Sequence, residues 1–108
     1  ANSTEYIIAE MLDFDRAIGR ALDFAEKDGN TLVIITADHE TGGMGINNGN
    51  FKDGTVDAGY TTGSHTGVMV PVFAYGPGSE QFRGIYENYD IFYKIMTAFG
   101  FERKSDTD

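Results

Sequence analysis

Leu32-Val33-Ile34-Ile35 is a continuous apolar run closed by Thr31 and Thr36. It is short and β-branched and does not alternate with polar residues, the pattern of a strand covered on both faces. Such a strand needs a layer on each side, which confines the chain to a layered α/β arrangement. Residues 4–28 precede it and carry Ile7, Met11, Phe14, Ile18, Leu22 and Ala25 at steps of three or four, the period of one long amphipathic helix. Asn2, Ser3 or Thr4 can cap its start, Glu5 suits the positive end of the helix dipole, and Gly29-Asn30 is a stop. A helix running into a buried strand is half of a βαβ unit, so a mostly parallel sheet flanked by helices is expected.

Residues 42–67 change character. Eight of the fourteen glycines fall there among Asn47, Asn48, Asn50, Asp53 and Asp57, which predicts loops with one irregular hairpin around 51–60. Val68–Tyr75 is the second expected strand, with Pro71 near its start, at an edge or at a bulge because proline cannot donate to a ladder. Gly76-Pro77-Gly78 is a turn. A short extended segment is expected over 82–86, then a helix capped by Asn88, striped by Ile91, Phe92, Ile95, Met96 and Phe99 and stopped by Gly100. Glu102–Asp108 reads as a frayed polar tail. Two strands and two helices cannot cover this much apolar sequence, so the chain is expected to belong to a larger sheet or to associate to complete one.

Eight Lys+Arg against seventeen Asp+Glu leave a net charge of −9, which repels phosphate backbones and argues against nucleic-acid binding. Phosphate esters remain accessible where bound cations supply positive charge. The chain has no cysteine, which excludes disulfides and thiolate metal sites. No apolar run approaches the ~18–20 residues of a membrane span. The chain has no initiating Met and no signal peptide, and it opens almost directly on the helix. It therefore reads as a mature or cut piece whose targeting segment would lie outside it.

The chemistry gathers at two junctions. Asp38 and His39 follow the apolar run in Thr36-Ala37-Asp38-His39-Glu40-Thr41-Gly42-Gly43, and His65 precedes the second run in Gly63-Ser64-His65-Thr66-Gly67. These are the only histidines. With cysteine absent, zinc takes imidazole nitrogen and carboxylate oxygen, so Asp38, His39 and His65 are candidate metal ligands. The competing reading makes Asp38 a turn cap and His39 a surface histidine. Glu40 is either a group orienting His39 or a solvated loop carboxylate. Phe73 and Tyr75 suit sheet packing better than substrate stacking. Gly42-Gly43-Met44-Gly45 lacks the spacing and the Lys-Ser/Thr of a Walker loop. Ser64 reads as a loop hydroxyl and Arg83 as a surface residue.

The Asp38-His39 octapeptide, His65-Thr66-Gly67, the run Val70-Pro71-Val72-Phe73-Ala74-Tyr75-Gly76-Pro77-Gly78 and the helix after Asn88 together resemble the C-terminal part of bacterial alkaline phosphatases. The segment Glu10-Met11-Leu12-Asp13-Phe14-Asp15 resembles the stretch before the Asp-His strand of that family. The resemblance implies that residues 1–108 are a single C-terminal segment of an alkaline-phosphatase-like domain, with 42–67 as an active-site or crown-type loop region. It implies a zinc-dependent phosphomonoesterase acting through a phosphoserine, with phosphate monoesters and inorganic phosphate as its small-molecule partners. Asp38 and His39 match two ligands of the zinc that activates the serine, and His65 matches a ligand of the second zinc. Two zinc ions about 4 Å apart stabilise both the attacking and the leaving oxygen of such a transfer. The family's serine nucleophile, phosphate-binding arginine and magnesium ligands have no counterpart in Ser3, Ser64, Ser79, Ser105 or the rest of this chain. The resemblance thus implies no catalytic residue here, an inactive fragment, the remainder of a parent chain as partner, a possible homodimer, and a periplasmic or secreted parent. A phosphodiesterase or sulfatase of the wider superfamily and a non-catalytic, self-associating acidic α/β module are the alternative readings.

Overall fold

The computed structural model describes residues 2–101. Helix α1 spans Thr4–Asp28, the extent that the apolar period predicts. Glu5 lies in its first turn and Lys27 in its last, both favourable to the dipole. Gly29 ends it at φ 68°, donating its N–H to the Ala25 carbonyl at 2.9 Å. Ile7, Ile18 and Leu22 of the expected stripe are half-buried and Ala25 is buried, whereas Met11 and Phe14 stand exposed.

Among the described residues six strands follow in chain order: β1 (Val33–Ile35), β2 (Glu40–Thr41), β3 (Gly45–Asn50), β4 (Thr55–Gly59), β5 (His65–Thr66) and β6 (Phe73–Tyr75). They pair as β1 with β6, β2 with β5, and β3 with β4. All three described pairings are antiparallel, where parallel pairing was expected from the helix-strand order. The chain between β1 and β6 holds two strand pairs and no helix. A parallel neighbour needs a crossover, usually a helix, and without one the chain returns antiparallel.

Internal contacts divide the chain into two compact units. One joins the described residues up to Arg20 with Ala37–Pro71, and the other joins Ala21–Thr36 with the described residues from Val72 onward. In the second unit Val33 pairs with Tyr75, Ile34 with Ala74 and Ile35 with Phe73. Phe73 and Tyr75 thus lie opposite β-branched partners, as sheet packing requires. The expected strand over 68–75 shortens to three residues. Pro71 carries no N–H and holds the residue before it away from helical geometry, so the ladder starts only beyond it.

After Gly76-Pro77-Gly78 the chain makes a 3₁₀ turn over Ser79–Phe82, where sequence reasoning saw nothing, and no strand forms over 82–86. Helix α2 spans Asp90–Ala98 and starts two residues beyond the expected cap at Asn88. The Glu87 and Asn88 carbonyls accept from the Asp90 and Ile91 N–H groups, so a tight turn leads into the helix in place of a side-chain cap. At its end Gly100 donates to the Thr97 carbonyl and Phe101 to that of Met96, the paired bonds of a Schellman stop. Lys94 donates to the Gln81 carbonyl at 2.7 Å and lies 4.2 Å from the centre of the Tyr86 ring, tying α2 to the 3₁₀ turn. The expected tail over 102–108 lies outside the described residues.

In the first unit β3 and β4 form the hairpin foreseen within the glycine-rich region, beginning at Gly45 rather than near Phe51. A bulge between Ile46 and Asn48 shifts its register. At its tip Asp53 accepts from the Thr55 N–H at 3.0 Å, the Thr55 hydroxyl at 2.7 Å and the Asn50 amide at 2.9 Å. The Thr55 hydroxyl above all, and then its N–H, hold the Asp53 carboxyl below its ordinary value. A depressed carboxyl stabilises the folded form above the unfolded-state value and loses that contribution as pH falls through the folded one. The Thr55 amide resonance is therefore expected to titrate with a midpoint below 3.8 in an acid NMR titration, and Asp53→Ala is expected to abolish that step.

Ala25 and Phe82 are the buried hydrophobic side chains among the described residues, while eighteen large hydrophobics are exposed. No described helix is long and apolar enough to cross a membrane.

Candidate metal centre

Asp38, His39 and His65 all fall in the first unit. β2 starts directly after His39, and β5 starts on His65 itself. The ladder pairs Glu40 with Thr66 and Thr41 with His65. It brings the two histidines together, with ring centroids 3.7 Å apart and planes tilted by 37°.

The His39 ring is set by its own neighbourhood. Its Nδ1 lies 3.0 Å from the Glu40 main-chain carbonyl, which can only accept, so Nδ1 carries the proton. In the neutral ring this leaves a lone pair on Nε2, the ligating tautomer. Asp38 accepts the His39 main-chain N–H on Oδ1 at 3.0 Å, which leaves Oδ2 facing His39 Nε2 at 3.4 Å. One oxygen of Asp38 is thus held by the adjacent main chain, and the second remains directed at the imidazole. Zinc-ligand bonds of about 2.0–2.1 Å in tetrahedral geometry put adjacent donors about 3.3–3.4 Å apart. The Asp38 and His39 donors therefore have the separation of a chelating pair. Their side chains are 87% and 40% exposed, so a cation can reach them. Among the described residues no group of three or more His, Cys, Asp or Glu is arranged to hold a metal ion.

Glu40 is neither a solvated loop carboxylate nor a side-chain partner of the His39 ring. One of its oxygens accepts the Gly43 N–H, and the other accepts the Thr66 hydroxyl across the ladder. The Thr66 hydroxyl is the main cause holding this carboxyl below its ordinary value, and burial opposes it. Sequence reasoning missed this role because two-residue strands have no period. The available signal was a carboxylate two residues before a Gly-Gly pair, within reach of the N–H of the second glycine.

The turn after β2 depends on those glycines. The Gly42 N–H donates to the Ser64 carbonyl at 2.8 Å, and the Gly42 carbonyl accepts from Thr61 and Thr62 at 2.9 and 3.2 Å. Ser64 thus serves the turn through its main chain. Gly43 has φ 58°, and a Cβ there would collide with Thr61 Oγ1. Gly43→Ala combines left-handed strain of ~1–2 kcal/mol with that collision. It is expected to destabilise the first unit by about 2–3 kcal/mol, read as a lower urea midpoint, and to separate the two imidazole rings in NMR spectra. Arg83, in the second unit, follows the 3₁₀ turn and is exposed.

The alkaline phosphatase family model matches residues 1–56 and 47–101. An alkaline phosphatase of Escherichia fergusonii is 38% identical over 88% of this chain and 24% of its own length. The streptomycin-6-phosphate phosphatase of Streptomyces griseus is 36% identical over 86% of this chain and 24% of its own. The solved alkaline phosphatase of the Antarctic bacterium TAB5 superposes with a TM-score of 0.85 at 48% identity, over 94% of this chain and 31% of that one. A variant of the TAB5 enzyme has been solved with magnesium bound. The chain belongs to the alkaline phosphatase family. It spans about a quarter to a third of the length of the curated relatives it matches.

Proposed function

We propose that this chain is the C-terminal segment of a zinc-dependent alkaline phosphatase that hydrolyses phosphate monoesters through a phosphoserine, and that it contributes ligands to the metal site of that enzyme. The observation that carries the reading is the pair of donors Asp38 Oδ2 and His39 Nε2, 3.4 Å apart, beside the His65 ring. Asp38 and His39 would hold one zinc ion and His65 would contribute to a second, with magnesium held elsewhere in the parent. Bound zinc supplies positive charge that stabilises the attacking and leaving oxygens of an in-line transfer.

The chain's own residues prepare for that charge. Asp38 directs one carboxylate oxygen at the site while its other oxygen holds the His39 N–H. The Glu40 carbonyl accepts from His39 Nδ1, so Nε2 is the ring nitrogen that would face a cation. A chain of net charge −9 needs such cations to accept a dianionic phosphate. The serine nucleophile, the arginine and the remaining ligands would come from the rest of the parent, which would also cover the exposed apolar faces. A periplasmic or secreted location and a homodimeric parent complete the reading. Family membership supports a monoesterase over a phosphodiesterase, a sulfatase or a non-catalytic module.

The test uses two proteins and a chromogenic phosphate monoester with added zinc and magnesium. The 108-residue chain alone is expected to show no turnover, because three donors divided between two ions fall short of a catalytic site. A chimera carrying this chain in place of its counterpart in the TAB5 enzyme is expected to be active. In that chimera Asp38→Ala is expected to lower kcat/KM by about 100-fold or more. Zinc-dependent turnover by the isolated chain, or a chimera indifferent to Asp38→Ala, would sink the reading.

A further inference from the structure

We propose that Glu40 and Thr66 are positioning residues for the two imidazoles: their cross-strand hydrogen bond, anchored by the Gly43 N–H, sets the register that keeps His39 beside His65. The proposal rests on the reading of Asp38, His39 and His65 as metal ligands and names the device that holds them in place.

The β2–β5 ladder contains two residue pairs, Glu40 with Thr66 and Thr41 with His65. So short a ladder has little register specificity of its own. A slip by one residue would turn His65 to the opposite face, away from His39. The Glu40 carboxylate opposes that slip because each of its oxygens is committed, one to the Gly43 N–H within its own turn and the other to the Thr66 hydroxyl on the facing strand. Thr66 adjoins His65, so fixing its side chain fixes the strand segment that carries the ring. The same residue governs the other ring, because the Glu40 carbonyl accepts from His39 Nδ1 at 3.0 Å. One residue thus orients His39 through its main chain and His65 through its side chain. The Gly42 N–H to Ser64 carbonyl bond, 2.8 Å, continues the tie on the side away from Thr66.

Thr66→Val and Thr66→Ser separate this role from simple strand packing. Valine keeps the branched shape that suits a strand and removes the hydroxyl donor, while serine keeps the donor and removes a methyl group. The experiment uses the full 108-residue chain, with circular dichroism verifying that each variant retains wild-type secondary structure. Two quantities are read: the NOE between the His39 and His65 ring protons without metal, and the affinity for Co²⁺ from its visible absorption. Thr66→Val is expected to lose the inter-ring NOE and to bind Co²⁺ about 10-fold more weakly. Thr66→Ser is expected to keep both within about twofold, and Glu40→Ala to behave like Thr66→Val. An unchanged NOE and affinity in Thr66→Val would overturn the proposal, as would a Thr66→Ser chain as impaired as Thr66→Val. If the wild-type chain takes up no Co²⁺, the inter-ring NOE alone decides the positioning role, and the ligand reading is decided by Asp38→Ala in the TAB5 chimera.

Discussion

A single carboxylate spans the turn and the ladder on which the candidate metal centre depends. Glu40 accepts from Gly43 on its own strand-turn and from Thr66 on the facing strand. Such a pair of bonds suits a carboxylate, which presents two acceptor oxygens and no donor. A ladder of two residue pairs has few main-chain bonds of its own, so a side-chain tie across it adds register specificity. Gly42 and Gly43 make the geometry possible, since both adopt positive φ and the second has no space for a Cβ.

The rest of the molecule is built with much less internal support. Among the described residues Phe82 is the one large hydrophobic that is buried, while eighteen are exposed. Each contributes about 1.5–3 kcal/mol when it passes from full exposure to full burial. In the proposed parent, the rest of the chain would cover the apolar faces of α1, α2 and β6. Coverage of only about a quarter to a third of the relatives' length agrees with that view, since most of a relative's layers lie beyond the matched segment.

What the amino-acid order discloses follows the length of each element. α1 was legible to the residue, because 25 residues of one period and a glycine stop leave little freedom. β1 and the glycine-rich hairpin were legible in kind, though not in extent. The antiparallel pairing of β1 with β6 was hidden, because it depends on what the chain does across the intervening residues and not on either strand's composition. The 3₁₀ turn at Ser79–Phe82 was hidden as well, being too short to have a period. Asp38, His39 and His65 stood out by residue type and by their places beside apolar runs. Their mutual geometry did not, because it arises from two-residue strands and from Glu40, whose side chain looked like any surface carboxylate until its two acceptor bonds were seen.

The three ladders are nested: β3–β4 lies within the span closed by β2–β5, and that within the span closed by β1–β6. The entropy of closing a loop grows with the number of free residues between its ends. Once the hairpin has formed, the chain between β2 and β5 behaves as a much shorter tether, and their closure shortens the tether between β1 and β6 in turn. Assembly can then proceed like a zip from the hairpin tip outward, with each closure reducing the entropic cost of the next. The imidazoles come together at the middle tooth, so the candidate site can be assembled before the outermost strands have met.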